Sequence, residues 1–237
     1  LGSGPYIARL SISGVIHTDQ KLLSRIEDIT ENADVVGVIL RLDSPGGTYA
    51  GSEGLYSALR RLAETKPTVA VIDGVAASGA YMAAIAADHI IARAGSITGS
   101  VGVIMQMPNF KGLMDNIGVG YNAIRSGPLK ARPNPFEDST TGGQTAAREI
   151  VQDLFLQFTE LIDQRRTLTP ESADSVRSGR IFTGRQAHSL GLIDAIGGEA
   201  EANEWLHQQP SIPADTRIHD VEDDSEFGDI SNLIERI

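Results

Sequence analysis

The sequence contains no cysteine, few aromatic residues and fewer positive than negative charges. The absence of cysteine excludes disulfides, thiolate metal ligands and cysteine nucleophiles. Lysine and arginine together number 20 against 31 acidic residues, a net charge of −11. Such a chain is poorly suited to nucleic acid, because phosphate binding needs a basic surface. Aromatic residues make up only 5% of the chain and offer little surface for base stacking.

Long apolar runs are also missing, since no stretch reaches the roughly 18 residues expected of a membrane-spanning helix. The chain begins with Leu1 instead of methionine, so we interpret it as a trimmed or processed fragment whose upstream signal or anchor would not be visible. What is present is typical of a soluble globular protein, with 41% hydrophobic residues over 237 positions.

Short β-branched segments alternate with amphipathic helical segments, which predicts an α/β fold built from stacked ββα units. Strands are predicted over residues 6–16, 35–42, 68–72, 89–92, 101–107 and 119–125, and helices over residues 20–32, 50–65, 78–87, 110–117, 144–166 and 199–208. We predict one domain over residues 1–209. Residues 210–237 are predicted to form an acidic tail with a candidate terminal helix, because Asp220–Asp229 holds six acids and no base.

Metal chemistry has little support in the sequence. The five histidines are not spaced like a zinc-binding pair on a helix; they are His17, His89, His188, His207 and His219. We therefore expect neither a metal nor a cofactor.

A glycine-containing turn follows the buried strand that ends at Leu42. Its sequence, Asp43-Ser44-Pro45-Gly46-Gly47, lacks the spacings of the phosphate-binding loops. Two interpretations remain open: a tight strand-to-helix turn, or an oxyanion site in which two glycines expose backbone N–H groups.

The most informative segment is Asp73–Tyr81, in which Ser78 stands among small residues between a strand and a helix. Ser78 is either a nucleophile that a substrate carbonyl can approach or a helix N-cap. It does not fit the GxSxG pattern, because position 76 is alanine. A nucleophilic serine needs a base, and neither His89 nor His188 is well placed. Lys130, in a loop with a proline, could serve only if burial keeps it uncharged.

Five motifs, in this order, closely resemble those of the signal peptide peptidase A family. They are Asp43–Gly47, Ala76–Tyr81, Thr98–Ile104, the Ser126–Phe136 segment with Lys130, and Gly179–Gly184 running into Gly191–Asp194. The resemblance covers about residues 6–206.

This resemblance implies a fold of the Clp protease and crotonase type and a serine endopeptidase that uses a Ser/Lys dyad. Ser78 would be the nucleophile and Lys130 the general base. Ser100 would orient the lysine, and the backbone N–H groups of Gly79 and Gly47 would form the oxyanion hole.

The family also implies a peptide substrate, the remnants of released signal peptides, and a homo-oligomeric ring or dome in which neighbouring subunits complete each site. Membrane association through an absent N-terminal anchor, with the catalytic domain outside the cytoplasm, is expected on the same ground. Two alternatives are a crotonase-type acyl-CoA enzyme and a catalytically idle membrane-associated scaffold. A Clp proteolytic subunit is disfavoured, because no His/Asp pair can be assigned.

Overall fold

A computed structural model describes residues 4–221 of the chain. The strands in this part are β1 (Tyr6–Ile16), β2 (Val35–Gly47), β3 (Thr68–Ala77), β4 (His89–Ala92), β5 (Ile97–Gly99), β6 (Ile181–Thr183), β7 (Ala195–Ile196) and β8 (Arg217–Asp220). The helices are α1 (Gln20–Glu31), α2 (Tyr49–Thr65), α3 (Gly79–Ala84), α4 (Lys111–Asn116), α5 (Thr141–Arg165), α6 (Pro170–Arg177), α7 (Gly184–Leu190) and α8 (Glu199–His207). The predicted α/β class is confirmed.

The described chain divides into two compact units. Unit 1 comprises the residues up to Val101 together with those from Ile162 onward, and unit 2 comprises Gly102–Leu161. Unit 1 contains all the strands named above.

The sheet of unit 1 has the strand order β6-β5-β3-β2-β1-β8, with β4 beside β3 and β7 beside β4. All neighbouring strands run parallel except β5 and β6. The first half of β3 pairs with β4 on one edge, whereas its last residues, Val75–Ala77, pair with β5. This change of partner brings two strand ends together at Ala77 and Gly99.

The central strands are near-continuous apolar runs, which is typical of strands that are covered on both faces of a sheet. One cluster of buried side chains joins four strands to α8 and the segment after it: Ile7, Ile39, Val69, Val71, Ile91, Ala202, Leu206 and Ile212. The sheet of unit 1 therefore forms around a continuous apolar core.

Strand β8 falls in the segment that the sequence analysis assigns to an acidic tail. Ile218 packs against the core, and Arg9 on β1 forms ion pairs with Asp220 on β8 and with Glu199 at the start of α8. Residues 217–220 thus belong to the sheet of unit 1. The rest of the acidic run and the candidate terminal helix lie outside the described residues.

Unit 2 differs from the sequence-based expectation, since the strands predicted over residues 101–107 and 119–125 are wrong. Neither segment has regular strand structure, and within the described residues 102–161 there is no strand. A β-branched run forms a strand only when its backbone finds a partner edge. Unit 2 consists of α4, most of α5 and two irregular segments, one before α4 and a longer one between the two helices.

Candidate active site

Ser78 occupies a sharp turn between β3 and α3. Its backbone has φ 55° and ψ −122°, a conformation that costs a non-glycine residue roughly 1–3 kcal/mol. Its side chain makes no capping hydrogen bond to α3, so the N-cap interpretation lacks the contact that defines it. A strained serine at a strand-to-helix turn is the geometry of a nucleophile elbow, reached here without the GxSxG pattern.

Ser100 lies at the neighbouring strand end. Residues Ala77 and Gly99 form the last pair of the β3–β5 ladder, and each is followed directly by one of the two serines. The backbone N–H of Ser78 donates to the carbonyl of Gly99 over 2.8 Å. Ser100 also has a positive φ, 52°, and its N–H donates to the carbonyl of Arg180 over 2.7 Å. The structure thus brings Ser78 and Ser100 to one edge of the sheet.

Glycine is required on the strand that passes this turn. Gly46 has φ +97°, and a Cβ there would lie 2.7 Å from the carbonyl oxygen of Ala77 and 2.8 Å from the backbone nitrogen of Gly79. The backbone nitrogen of Gly47 lies 3.5 Å from the place that a Cβ on Gly79 would take. The two amides predicted for the oxyanion hole, those of Gly47 and Gly79, are therefore neighbours beside Ser78.

The Asp43–Gly47 segment, interpreted from the sequence as either a tight turn or an oxyanion site, forms the end of strand β2. Gly47 pairs with Ile16 of β1, so it continues the strand, and α2 begins at Tyr49. Ser44 is fully buried, and its Oγ accepts a hydrogen bond from the N–H of Gly46 over 3.1 Å. Because the amide of Gly46 has this partner, Gly47 is the better candidate oxyanion donor.

Sequence reasoning missed two buried hydroxyls near the site, those of Ser44 and Ser52. Ser52 belongs to the buried face of α2 and precedes Leu55 and Leu59 at helical spacing. A polar residue on an otherwise apolar helix face was the signal that could have found it.

The side chain of Tyr81 anchors helix α3 to the chain segment at Leu192. This side chain is fully buried, and its hydroxyl donates to the carbonyl of Leu192 over 2.7 Å. Burial raises the pKa of Tyr81, so the phenol stays a neutral donor. The anchor fixes the helix that Ser78 introduces.

Lys130 lies in unit 2, in a turn where its N–H donates to the carbonyl of Gly127 over 3.2 Å. It is an exposed residue, so the described residues do not supply the burial that a lysine base requires. The next residue, Ala131, has φ 56°, and the described non-glycine residues with a positive φ are Ser78, Ser100 and Ala131. Strained backbone of this kind often marks functional sites.

Residues 4–221 contain neither a cluster of metal-binding side chains nor a helix that could span a membrane. No group of three or more histidine, aspartate or glutamate side chains in this range could hold a metal ion. No helix in the same range is long and apolar enough to cross a membrane.

A serine on a strained turn can attack a carbonyl, and two neighbouring backbone amides beside it can stabilise the oxyanion that forms. The fold is similar to that of two solved structures. A membrane-bound stomatin-specific protease in complex with a substrate peptide matches 98% of this chain and 99% of its own, with a TM-score of 0.59 and 14% identity. An enoyl-CoA hydratase/isomerase family member matches 85% of this chain and 72% of its own, with a TM-score of 0.50 and 16% identity. The fold is of the Clp protease and crotonase type.

The sequence profile of peptidase family S49 matches residues 60–212. A putative protease of Synechocystis is 32% identical over 92% of this chain and 79% of its own length. The chloroplastic serine protease SPPA of Arabidopsis thaliana is 32% identical over 90% of this chain but only 32% of its own length. A putative signal peptide peptidase SppA of Enterococcus faecium is 28% identical over 95% of this chain and 70% of its own. The chain belongs to peptidase family S49, the signal peptide peptidase A family, and is a serine protease.

Proposed function

We propose that the chain is an endopeptidase with a Ser/Lys dyad and that residues 1–209 act as one peptidase domain. Ser78 is the nucleophile, Lys130 the general base and Ser100 the hydroxyl that orients the lysine. The backbone N–H groups of Gly79 and Gly47 hold the oxyanion. The observation that carries this proposal is the strained turn at Ser78, with the end of β2 packed against Gly79.

The proposed reaction has two halves. Uncharged Lys130 takes the proton of Ser78 Oγ, which attacks the peptide carbonyl, and the two backbone amides stabilise the tetrahedral oxyanion. Protonated Lys130 then gives its proton to the leaving amine as the C–N bond breaks, which leaves an acyl-enzyme. Water, deprotonated by the same lysine, attacks the ester carbonyl. The bond between the acyl carbon and Ser78 Oγ then breaks, the lysine returns the proton to Ser78 Oγ, and the acid is released.

The substrates we propose are remnants of released signal peptides or similar apolar peptides. The name of the Enterococcus relative and the peptide bound to the structural neighbour support this class. An extended apolar peptide can bind along strand edges through its main chain.

We also propose a homo-oligomer, a ring or dome in which a neighbouring subunit completes each site. The exposure of Lys130 and the many exposed apolar side chains of unit 2 support this assembly. Light scattering is expected to show a particle of several chains; a strict monomer with full activity contradicts the proposal.

Membrane association, with the catalytic domain outside the cytoplasm, is proposed on the family resemblance alone. Protease digestion of intact cells that express the natural gene product is expected to degrade this domain. Protection of the domain until the membrane is permeabilised contradicts the proposal.

Replacement of the lysine tests the dyad. Lys130→Ala is expected to lower kcat on a fluorogenic apolar peptide by about a thousandfold or more, because general acid–base catalysis is lost. Lys111→Ala, which removes another lysine of unit 2 that is paired with Asp115, is the matched control and should retain activity. Circular dichroism and light scattering should be unchanged in both variants, and near-normal turnover by Lys130→Ala would show that another group is the base.

A further inference from the structure

Ser52 is a buried polar residue with no part in the proposed reaction. It lies in the first turn of α2, and 1% of its surface is exposed. A serine buried on the apolar face of a helix needs a hydrogen-bond partner for its hydroxyl. Its small size also calls for an explanation in the packing around it.

The hydroxyl of Ser52 connects to the oxyanion strand through Thr48. Ser52 Oγ donates to the carbonyl of Thr48 over 2.9 Å, and Thr48 follows Gly47 directly. The N-cap of α2 is Thr48, whose side chain accepts from the N–H of Gly51 and whose own N–H donates to the carbonyl of Ile16. Ser52 thus bonds to the carbonyl of the residue that directly follows Gly47, one of the two candidate oxyanion donors.

The same side chain touches the other candidate donor. A Cβ on Gly79 would overlap Ser52 Oγ and would lie 2.8 Å from Ser52 Cβ. The side chain of Ser52 therefore packs directly on the backbone of Gly79, and the nitrogen of Gly47 borders the same space.

A bond from a helical serine to the carbonyl four residues earlier is common and can be purely local. It does not account for the contact with Gly79, which belongs to a different element. One side chain thus bonds to the segment after Gly47 and packs under Gly79.

We propose that Ser52 is a positioning residue that sets the distance between the amides of Gly47 and Gly79. This inference rests on the proposed function of those amides. With alanine at position 52, the space under Gly79 is left partly empty, and the carbonyl of Thr48 loses its hydroxyl donor. Either change lets the two amides shift relative to each other, and catalysis depends on their placement at the oxyanion.

The test compares Ser52→Ala with Ser57→Ala, a half-buried serine on the same helix, as the matched control. We expect kcat of Ser52→Ala on an apolar peptide to fall about tenfold or more, with KM changed less than about twofold. Inhibition by a peptide aldehyde, whose hemiacetal oxygen uses the same amides, should weaken in parallel. Binding of an uncleaved peptide, measured in a Ser78→Ala background, should not change.

If Ser52→Ala does not fold, Ser52→Cys provides the same comparison, because it fills the space with a weaker donor. Equal kcat values for the folded Ser52 variant and Ser57→Ala would overturn the inference, as would a raised KM with unchanged kcat. If wild type and Ser57→Ala both fail to hydrolyse peptides, the proposed function itself is wrong, and the inference falls with it.

Discussion

The two units of the described chain differ in how much of their apolar side-chain surface is buried. In unit 1 the central strands and α2 bury most of theirs, as Leu40, Leu59 and Ile72 show. Among the described residues of unit 1, the exposed large apolar ones are three, Val15, Ile181 and Ile196. Unit 2 leaves large apolar side chains exposed along its length: Ile104, Met105, Met107, Phe110, Leu113, Ile117, Val119, Tyr121, Ile124, Leu129, Phe136, Ile150 and Leu156. Exposed apolar surface on this scale is typical of a surface that binds something. Unit 1 is therefore organised around a buried apolar core, whereas unit 2 leaves many large apolar side chains exposed.

The largest expected effect tests this contrast directly. Leu59→Ala in α2 should lower the free energy of unfolding by about 3 kcal/mol, because it opens a cavity in the core of unit 1. Leu113→Ala in α4, where 60% of the side chain is exposed, should change it by less than about 0.5 kcal/mol in dilute solution. Urea unfolding measures both, and equal losses would mean that unit 2 is packed as tightly as unit 1.

A smaller effect concerns pH and unit 1. His89 stacks on Trp205 with ring centroids 5.0 Å apart, and burial lowers its pKa, although nearby Asp194 opposes this shift and Arg166 adds to it. Because the unfolded chain then binds the proton more readily, stability is complete above about pH 6.5 and falls as the pH drops below it.

His89→Phe keeps the stack and removes the proton site. The expected change is less than about 1 kcal/mol, seen as a flatter dependence of the unfolding free energy on pH between about 7 and 5. An unchanged slope would assign the acid sensitivity of unit 1 to other groups.

The smallest expected effect compares an ion pair from each unit. Arg9 hydrogen-bonds Asp220 and lowers the pKa of that carboxyl, so the stabilisation exists at neutral pH and is lost as the pH falls through the lowered value. Asp220→Asn should cost less than about 1 kcal/mol and speed amide exchange in β8. Asp115→Asn, which breaks the exposed pair with Lys111 in unit 2, should affect stability less than Asp220→Asn and leave β8 unchanged. Slow exchange in β8 after Asp220→Asn would show that the ladder with β1, the packing of Ile218 and the stack of His219 on Tyr6 hold the strand without the ion pair.

Much of unit 1 could be predicted from the sequence, because its elements carry local signals. The strands Tyr6–Ile16 and His89–Ala92 match their predicted bounds. Strand β5 was missed because three residues that include glycine have no periodicity; pairing with β3 and β6 defines it. In unit 2 the β-branched runs misled the prediction, since composition does not reveal whether a partner strand exists.

The candidate site could be predicted as a set of motifs but not as a geometry. The small residues around Ser78 and the paired glycines are visible in the sequence. The positive φ of Ser78 and the contact of Ser52 with Gly79 are not, because they depend on how β2, β3 and α2 meet. Whether Lys130 reaches the serine stays a prediction.

The strained backbone of Ser78 has a consequence for directed evolution of this protein towards higher thermal stability. Glycine adopts its φ of 55° without steric penalty, so Ser78→Gly relieves strain while it deletes the hydroxyl. Selection for heat resistance alone would reward that change, and under the proposed mechanism the product would be a more stable but inactive protein. The proposed nucleophile would then be retained only if activity were selected together with stability.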